Sequence, residues 1–500
     1  MIYAEQIYVC IVLPLLAALL SSCCRSAGTD EINVIPTPAE VCLTGRKASE
    51  CAARNCTVTF NEKMGPEAYV LKIRPKSVKI LAGGPAGEFY ARQTIRQLID
   101  NQGFLPVGTI KDSPRFEWRG YMLDESRHFF GEEYVLRTLE MMAYYKLNKF
   151  HWHLTDAPGW RMEVMKYPLL TRVGGVGNHT DPDAQPQFYT QEQIRRIVAY
   201  AAERQIEVIP EFDMPGHATS ACRAYPFLSG GKQPVNPDFT FNVGSEAVFG
   251  FISDVLDEIF ALFPSEYIHV GGDEVTHGNA CWKENADILA LMEREGLSDF
   301  RQVEGWFHRE IARMVEGKGR KIIAWDDILD GGPASEDEAI MWWRHERPDH
   351  LTEALEGGVK AILTPRRPLY LDFVQYPGHT QGRHDFRGEY VCCTMKDIYF
   401  FPDVNVSEVE MTPERLQNVL GIQGNLWTEA VEAPQRAEYM SWPRLCAVAE
   451  SAWTRAERKD FASFESRMGP ALAHLEDAGV NFFDLRAPEA SPEPPAAVRK

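Results

Sequence analysis

Short apolar runs of four to six residues recur along most of the chain. Each is followed by a polar loop and then by a stretch whose apolar positions repeat with helical spacing. The runs fall at residues 120–123, 149–154, 207–211, 267–270, 321–325, 339–343, 360–364 and 421–426. Helical patterns separate them, as at 191–204, 245–263 and 300–317. Eight βα units in succession predict an α/β fold, a closed (β/α)8 TIM barrel over residues 117–486. A different pattern precedes it. Residues 68–73 and 77–82 alternate as strands about Pro75-Lys76, and Gly83-Gly84 leads into a helix over 87–100. Phe89, Thr94, Ile95 and Leu98 share one face of that helix, and Asp112-Ser113-Pro114 ends the unit. Residues 30–116 are therefore expected to form a small α+β domain. The long connection 373–417 is expected to drape over the barrel mouth, and the proline-rich tail 487–500 to be disordered.

Residues 8–20 form an apolar run too short to span a bilayer, which needs about 20 apolar residues. Leu20-Ser21-Ser22-Cys23 follows it and has the form of a lipoprotein cleavage box. The expectation is an export signal over residues 1–23, lipidation at Cys23, and an exported protein that meets the membrane only through that anchor. Acidic residues number 71 against 52 basic ones, a net charge of −19. This disfavours nucleic acid as a partner, because phosphate binding requires basic surface. Eleven cysteines show neither CxxC pairing nor zinc spacing.

Chemistry in such a barrel sits at the C-terminal ends of the strands. Read in order, those ends carry Asp124-Glu125-Ser126-Arg127, then His151 to Asp156, then Glu211-Phe212-Asp213-Met214-Pro215-Gly216-His217. The fourth ends in Gly271-Gly272-Asp273-Glu274 and the fifth in Trp325-Asp326-Asp327. Trp342-Trp343, Tyr370-Leu371-Asp372 and Trp427-Thr428-Glu429 complete the ring. Carboxylates accept hydroxyl hydrogen bonds and exchange protons, while indole faces cover the C–H faces of a pyranose. Two adjacent carboxyls, if buried, raise the pKa of one of them and so create a general acid. The pattern points to a sugar site centred on Asp273 and Glu274.

The string His269-Val270-Gly271-Gly272-Asp273-Glu274 resembles the active-site signature of glycoside hydrolase family 20, the β-N-acetylhexosaminidases. Arg119-Gly120 with Asp124-x-Ser126-Arg127-His128 is similar to that family's first barrel strand, and His151 to Asp156 with Gly159-Trp160-Arg161 to its second. The remaining strand-end motifs fit in order, and the small first domain resembles the family's accessory domain. The resemblance implies exo-acting, retaining, substrate-assisted hydrolysis of terminal β-linked GlcNAc or GalNAc from glycans, without cofactor or metal. It gives Asp273 the acetamido N–H, Glu274 the role of acid and base, and Tyr370 the acetamido oxygen. Trp325, Trp343 and Trp427 would box the acetamido group. Arg119 and Glu429 would bind the 3- and 4-hydroxyls, and Asp372 the 6-hydroxyl. Asp156 and His217 would tune Glu274. In one departure, Ala157-Pro158 stands where many members carry a second Asp and then Gln.

Two other readings compete. His151-x-His153, with His217, His269 and Asp273, could be the ligand set of a zinc amidohydrolase. Against it, the fifth and sixth strand ends offer Trp325 and Trp343 where that chemistry wants histidine. A surface glycan-binding protein without turnover is the other; an intact set of Asp273, Glu274 and Tyr370 argues against it.

Overall fold

The two kinds of strand pattern fold into two sheets. The computed structural model describes residues 32–382, 388, 390–404 and 408–498; the expected leader and its Cys23 lie outside them. The first sheet contains β1 (Glu40–Ser49), β2 (Cys56–Phe60), β3 (Tyr69–Arg74), β4 (Ser77–Ala82) and β5 (Phe104–Asp112), in the order β1-β5-β3-β4-β2. β3 and β4 alternate buried and exposed residues, as a sheet with one covered face must. The cover is the helix Pro85–Leu98, which starts with proline in its first turn and buries Tyr90, Ala91, Ile95 and Leu98.

The second sheet is a closed barrel. Its strands are β6 (Trp118–Asp124), β7 (Lys149–His153), β8 (Glu207–Glu211), β9 (Tyr267–His269), β10 (Lys321–Trp325), β11 (Ala339–Trp342), β12 (Lys360–Leu363) and β13 (Val419–Leu426). All neighbours pair in parallel, and β13 against β6 closes the ring. Helices outside and side chains inside cover both faces, so β6 and β13 are buried along their whole length. Among the described residues no helix is long and apolar enough to cross a membrane.

Arg119 requires a correction. It occupies the second position of β6, at the N-terminal end of the barrel, and is fully buried. Asp124 marks the other end of the same strand, roughly 16 Å away at about 3.3 Å per residue. Nη2 of Arg119 lies 2.6 Å from Glu67 of the small domain and donates to the Tyr90 hydroxyl at 3.1 Å. Lys146 makes a parallel joint, 3.0 Å from Asp112 and 2.9 Å from the Tyr69 hydroxyl. Trp453, from a barrel helix, donates to Asp112 at 2.9 Å and lies in the small domain's core. Arg119 thus fastens the two domains together; it does not reach the barrel mouth.

The tail also departs from expectation. Glu493 accepts from the backbone N–H groups of Thr380 and Gln381, and the N–H of Ala497 donates to the Ala430 carbonyl. Tyr376 donates to Glu489. Proline-rich composition signalled a chain without a core of its own; residues 487–498 bury none of their number, and hydrogen bonds to the connection after β12 and to Ala430 beyond β13 hold them.

Candidate active site

β9 ends at His269, and the chain then turns through two glycines into the acidic pair. Gly271 has φ +69°, and a Cβ there would stand 1.7 Å from Asp213 Oδ1. Only glycine permits both the backbone angle and the close approach. Glu274 itself adopts φ +50°, in the left-handed region that costs an L-residue about 1–2 kcal/mol. The strain directs the two adjacent carboxyls into one cavity, which Asp273 and Glu274 line together.

Behind the pair stands His217. Its Nδ1 is 2.9 Å from Asp156 Oδ1, and its Nε2 is 3.5 Å from Asp273 and 3.7 Å from Glu274. Burial alone would depress the imidazolium, but the carboxylates of Asp156, Asp273 and Asp213 outweigh it and hold His217 well above the usual histidine value. Asp156 is pushed up by burial and pulled further down by Arg127 and His217, so it stays ionised. Asp156 therefore reaches His217 despite Ala157 beside it.

Asp273 is raised to about 6, first by burial and then by Glu274, with His217 opposing. Its Oδ1 has no hydrogen-bond partner among the described residues. Asp213 lies next to it, likewise without a partner for either oxygen, and burial followed by repulsion from Asp273 raises it strongly.

Aromatic rings form the rest of the cavity. Trp325, at the end of β10, donates its indole N–H to Glu211 at 3.0 Å. Trp427 follows β13, with its ring 5.8 Å from Trp325 and 6.0 Å from Tyr370. Trp343 lies parallel to Tyr370, 12° between planes at 6.3 Å, and donates its indole N–H to Asp327 at 2.7 Å. Glu429 and Arg127 line the remaining side. The Arg127 guanidinium lies 2.7 Å from Asp156 and 4.8 Å from the Trp427 ring centre. It lines the cavity, which Arg119 does not reach.

Nine of the anticipated cavity and relay residues thus converge: Asp273, Glu274, Tyr370, Trp325, Trp343, Trp427, Glu429, His217 and, behind it, Asp156. Asp372 is buried two residues beyond Tyr370 but is not part of the cavity lining. Arg127, Arg366 and Phe373 line the cavity without having been singled out as ligands. Arg127 was legible: it follows a strand end, where the barrel rule places chemistry.

Below the cavity, His151, His153, Glu211 and His269 fill the barrel. The Glu211 carboxylate lies 2.9 Å from His151 Nε2 and 3.1 Å from His269 Nδ1, and it also pairs with His153 and Trp325. Burial first, then the neighbouring imidazoles, push His151 down to about 4, with Glu211 opposing. His153 stays cationic between Glu211 and Asp156. His151, Glu211 and His269 could gather round a cation. Glu211 pairs with all three imidazoles and accepts the indole N–H of Trp325, which holds that ring in place.

Two sequence profiles match the chain: "Glycosyl hydrolase family 20, catalytic domain" over residues 116–456, and "Glycosyl hydrolase family 20, domain 2" over residues 19–113. A beta-hexosaminidase of Porphyromonas gingivalis is 37% identical over 441 residues; the match covers 83% of this chain and 54% of that protein. The chain therefore spans about half the length of that relative. A beta-hexosaminidase of Akkermansia muciniphila is 29% identical, covering 91% of this chain and 93% of its own. The crystal structure of a GH20 exo beta-N-acetylglucosaminidase from Vibrio harveyi, in complex with N-acetylglucosamine, superposes with a TM-score of 0.81 at 30% identity. That match covers 91% of this chain and 79% of the other.

Proposed function

Since the chain belongs to glycosyl hydrolase family 20, we propose that it removes terminal β-linked N-acetylhexosamine from glycans by retaining, substrate-assisted hydrolysis. The observation that carries this reading is the pairing of an acidic couple with an indole-walled cavity. Asp273 and Glu274 face the space enclosed by Trp325, Trp343, Trp427 and Tyr370. Such walls fit the methyl of an acetamido group, and they press its carbonyl oxygen toward the anomeric carbon.

On this reading Asp273 Oδ1 accepts the acetamido N–H and balances the charge that develops as the ring closes to an oxazolinium. The Tyr370 hydroxyl donates to the acetamido oxygen. Glu274 gives its proton to the departing glycosidic oxygen, then takes one from the water that opens the intermediate. His217, held by Asp156, is a cation behind both carboxyls. It favours the ionised Asp273 throughout and the ionised Glu274 between the two steps. Arg127 and Glu429 are placed to bind ring hydroxyls, the task first expected of Arg119. A cavity floored by the buried Trp325 accepts a chain end, which suits exo action.

The deciding measurement pairs an aryl β-N-acetylglucosaminide with the matched aryl β-glucoside. The first should turn over. The second should be nearly inert, with the loss in kcat as well as KM, because the missing group reacts and does not merely bind. Similar kcat on both would require an enzyme nucleophile and overturn the mechanism.

A further inference from the structure

One carboxyl touches both halves of the site and is assigned to neither. Asp327 follows β10, in the turn Asp326–Gly331. Its Oδ1 accepts the backbone N–H of Glu274 at 3.3 Å, and its Oδ2 accepts the indole N–H of Trp343 at 2.7 Å. Arg344 Nε lies 3.4 Å from the same Oδ2. The neighbouring Asp326 accepts the backbone N–H of Trp343 at 2.9 Å, so that tryptophan is held at both its peptide and its ring.

We propose that Asp327 is a positioning residue through which the aim of Glu274 and the seating of the Trp343 indole are set together. Glu274 needs such a support. Its φ of +50° is a strained conformation that persists only where the surroundings fix it. Asp327 binds the peptide N–H of that strained residue. Trp343 needs one too, because a ring that walls a cavity on one side can tilt into it unless its polar edge is tied. A single carboxyl serves both, so displacing the indole moves the acid's backbone. The acetamido wall and the proton donor then act as a unit. Errors of about 1 Å in such placement cost on the order of 10²-fold in rate.

This inference rests on the hydrolytic reading above, and wild-type turnover of an aryl β-N-acetylglucosaminide tests that reading first and separately. The coupling itself is tested with Asp327→Ala, Asp327→Asn, Trp343→Phe and the double variant Asp327→Ala/Trp343→Phe. Phenylalanine keeps a ring in the wall but has no N–H. Asparagine can accept from one of the two donors, and its amide repels the other. Each variant is assayed with activated and unactivated leaving groups, alongside inhibition by a thiazoline mimic of the cyclised intermediate, with thermal melting to establish folding.

Asp327→Ala should lose on the order of 10²-fold on the unactivated leaving group, which depends on the acid, and clearly less on the activated one. It should also bind the thiazoline more weakly. Adding Trp343→Phe should cost little more than Asp327→Ala alone, because the shared support is already gone. Multiplicative losses in the double variant would overturn the proposal. So would an equal loss on both leaving groups with unchanged thiazoline binding, which is the mark of general loosening. Should Asp327→Ala fail to fold, Asp327→Asn and Trp343→Phe carry the same leaving-group comparison.

Discussion

Asp273 is held against its own solvation. Burial raises it to about 6, above the ordinary carboxylate value of 3.8. A carboxyl whose folded pKa is raised stabilises the fold fully only below its unfolded value, and that stability is lost as pH climbs through the folded one. At pH 7.5, keeping Asp273 ionised therefore costs stability. Asp273→Asn should raise the melting temperature at pH 7.5, and the gain should shrink between pH 6 and pH 4, where the native carboxyl takes up its proton. Turnover should fall by orders of magnitude at every pH, since the amide cannot balance the developing charge. A variant less stable than wild type at pH 7.5 would show that Asp273 is there a net support of the fold. The sequence made the pair visible as residues but not its electrostatic state, which depends on His217, Asp213 and Asp156 arriving from β7 and β8. Asp213 illustrates the limit: along the chain it is one carboxyl in a strand-end motif, and only folding puts it next to Asp273.

Between residue and fold, the turn after β9 converts a strand end into a working geometry. The eight barrel runs were readable because parallel strands covered on both faces are continuous apolar segments, as in Lys321–Trp325 and Ala339–Trp342. β1, β2 and β5 were not. β1 is mostly exposed and shifts register between Leu43 and Lys47, while β5 contains Pro106 and Gly108. Their pairing is decided by partners distant in sequence. The glycine turn was legible as a close approach, but what it approaches was not. Gly271→Ala sets both constraints against each other: a left-handed φ of +69° and a Cβ 1.7 Å from Asp213. Relief requires moving either Asp213 or the backbone that carries Asp273. The expected outcome is a folded barrel with lowered melting temperature and turnover reduced by at least about 10²-fold, as misplacement of the reacting groups implies. Near-native kcat in this variant would mean that the turn tolerates rearrangement, and that its glycine is not what aims the pair.

At the scale of the molecule, the barrel has two ends with different tasks, and two arginines, one at the start of β6 and one just past its end, belong to different ends. Arg119 precedes the strand's core and joins Glu67, Tyr90 and the carbonyls of Lys146 and Phe116 at the domain joint. Arg127 follows the strand and joins Asp156 beside Trp427 at the mouth. The rule that chemistry lies at C-terminal strand ends, with stability at the opposite face, separates them. A motif match by itself does not, because both arginines fall within one nine-residue string. Substitution should separate them in the same way. Arg119→Ala strips the cation from a buried pair and leaves Glu67 without that partner, a change that typically costs about 3–5 kcal/mol. Its melting temperature should fall by several degrees, while kcat and KM measured well below that temperature stay near wild type. Arg127→Ala should do the reverse in activity: it removes a cavity wall and the cation that keeps Asp156 ionised, so turnover on an aryl β-N-acetylglucosaminide should drop sharply at temperatures where the variant is fully folded. If Arg119→Ala instead lost kcat with its fold intact, the small domain would have to act on the distant mouth through the barrel wall, and the division of the two ends into fastening and chemistry would fail.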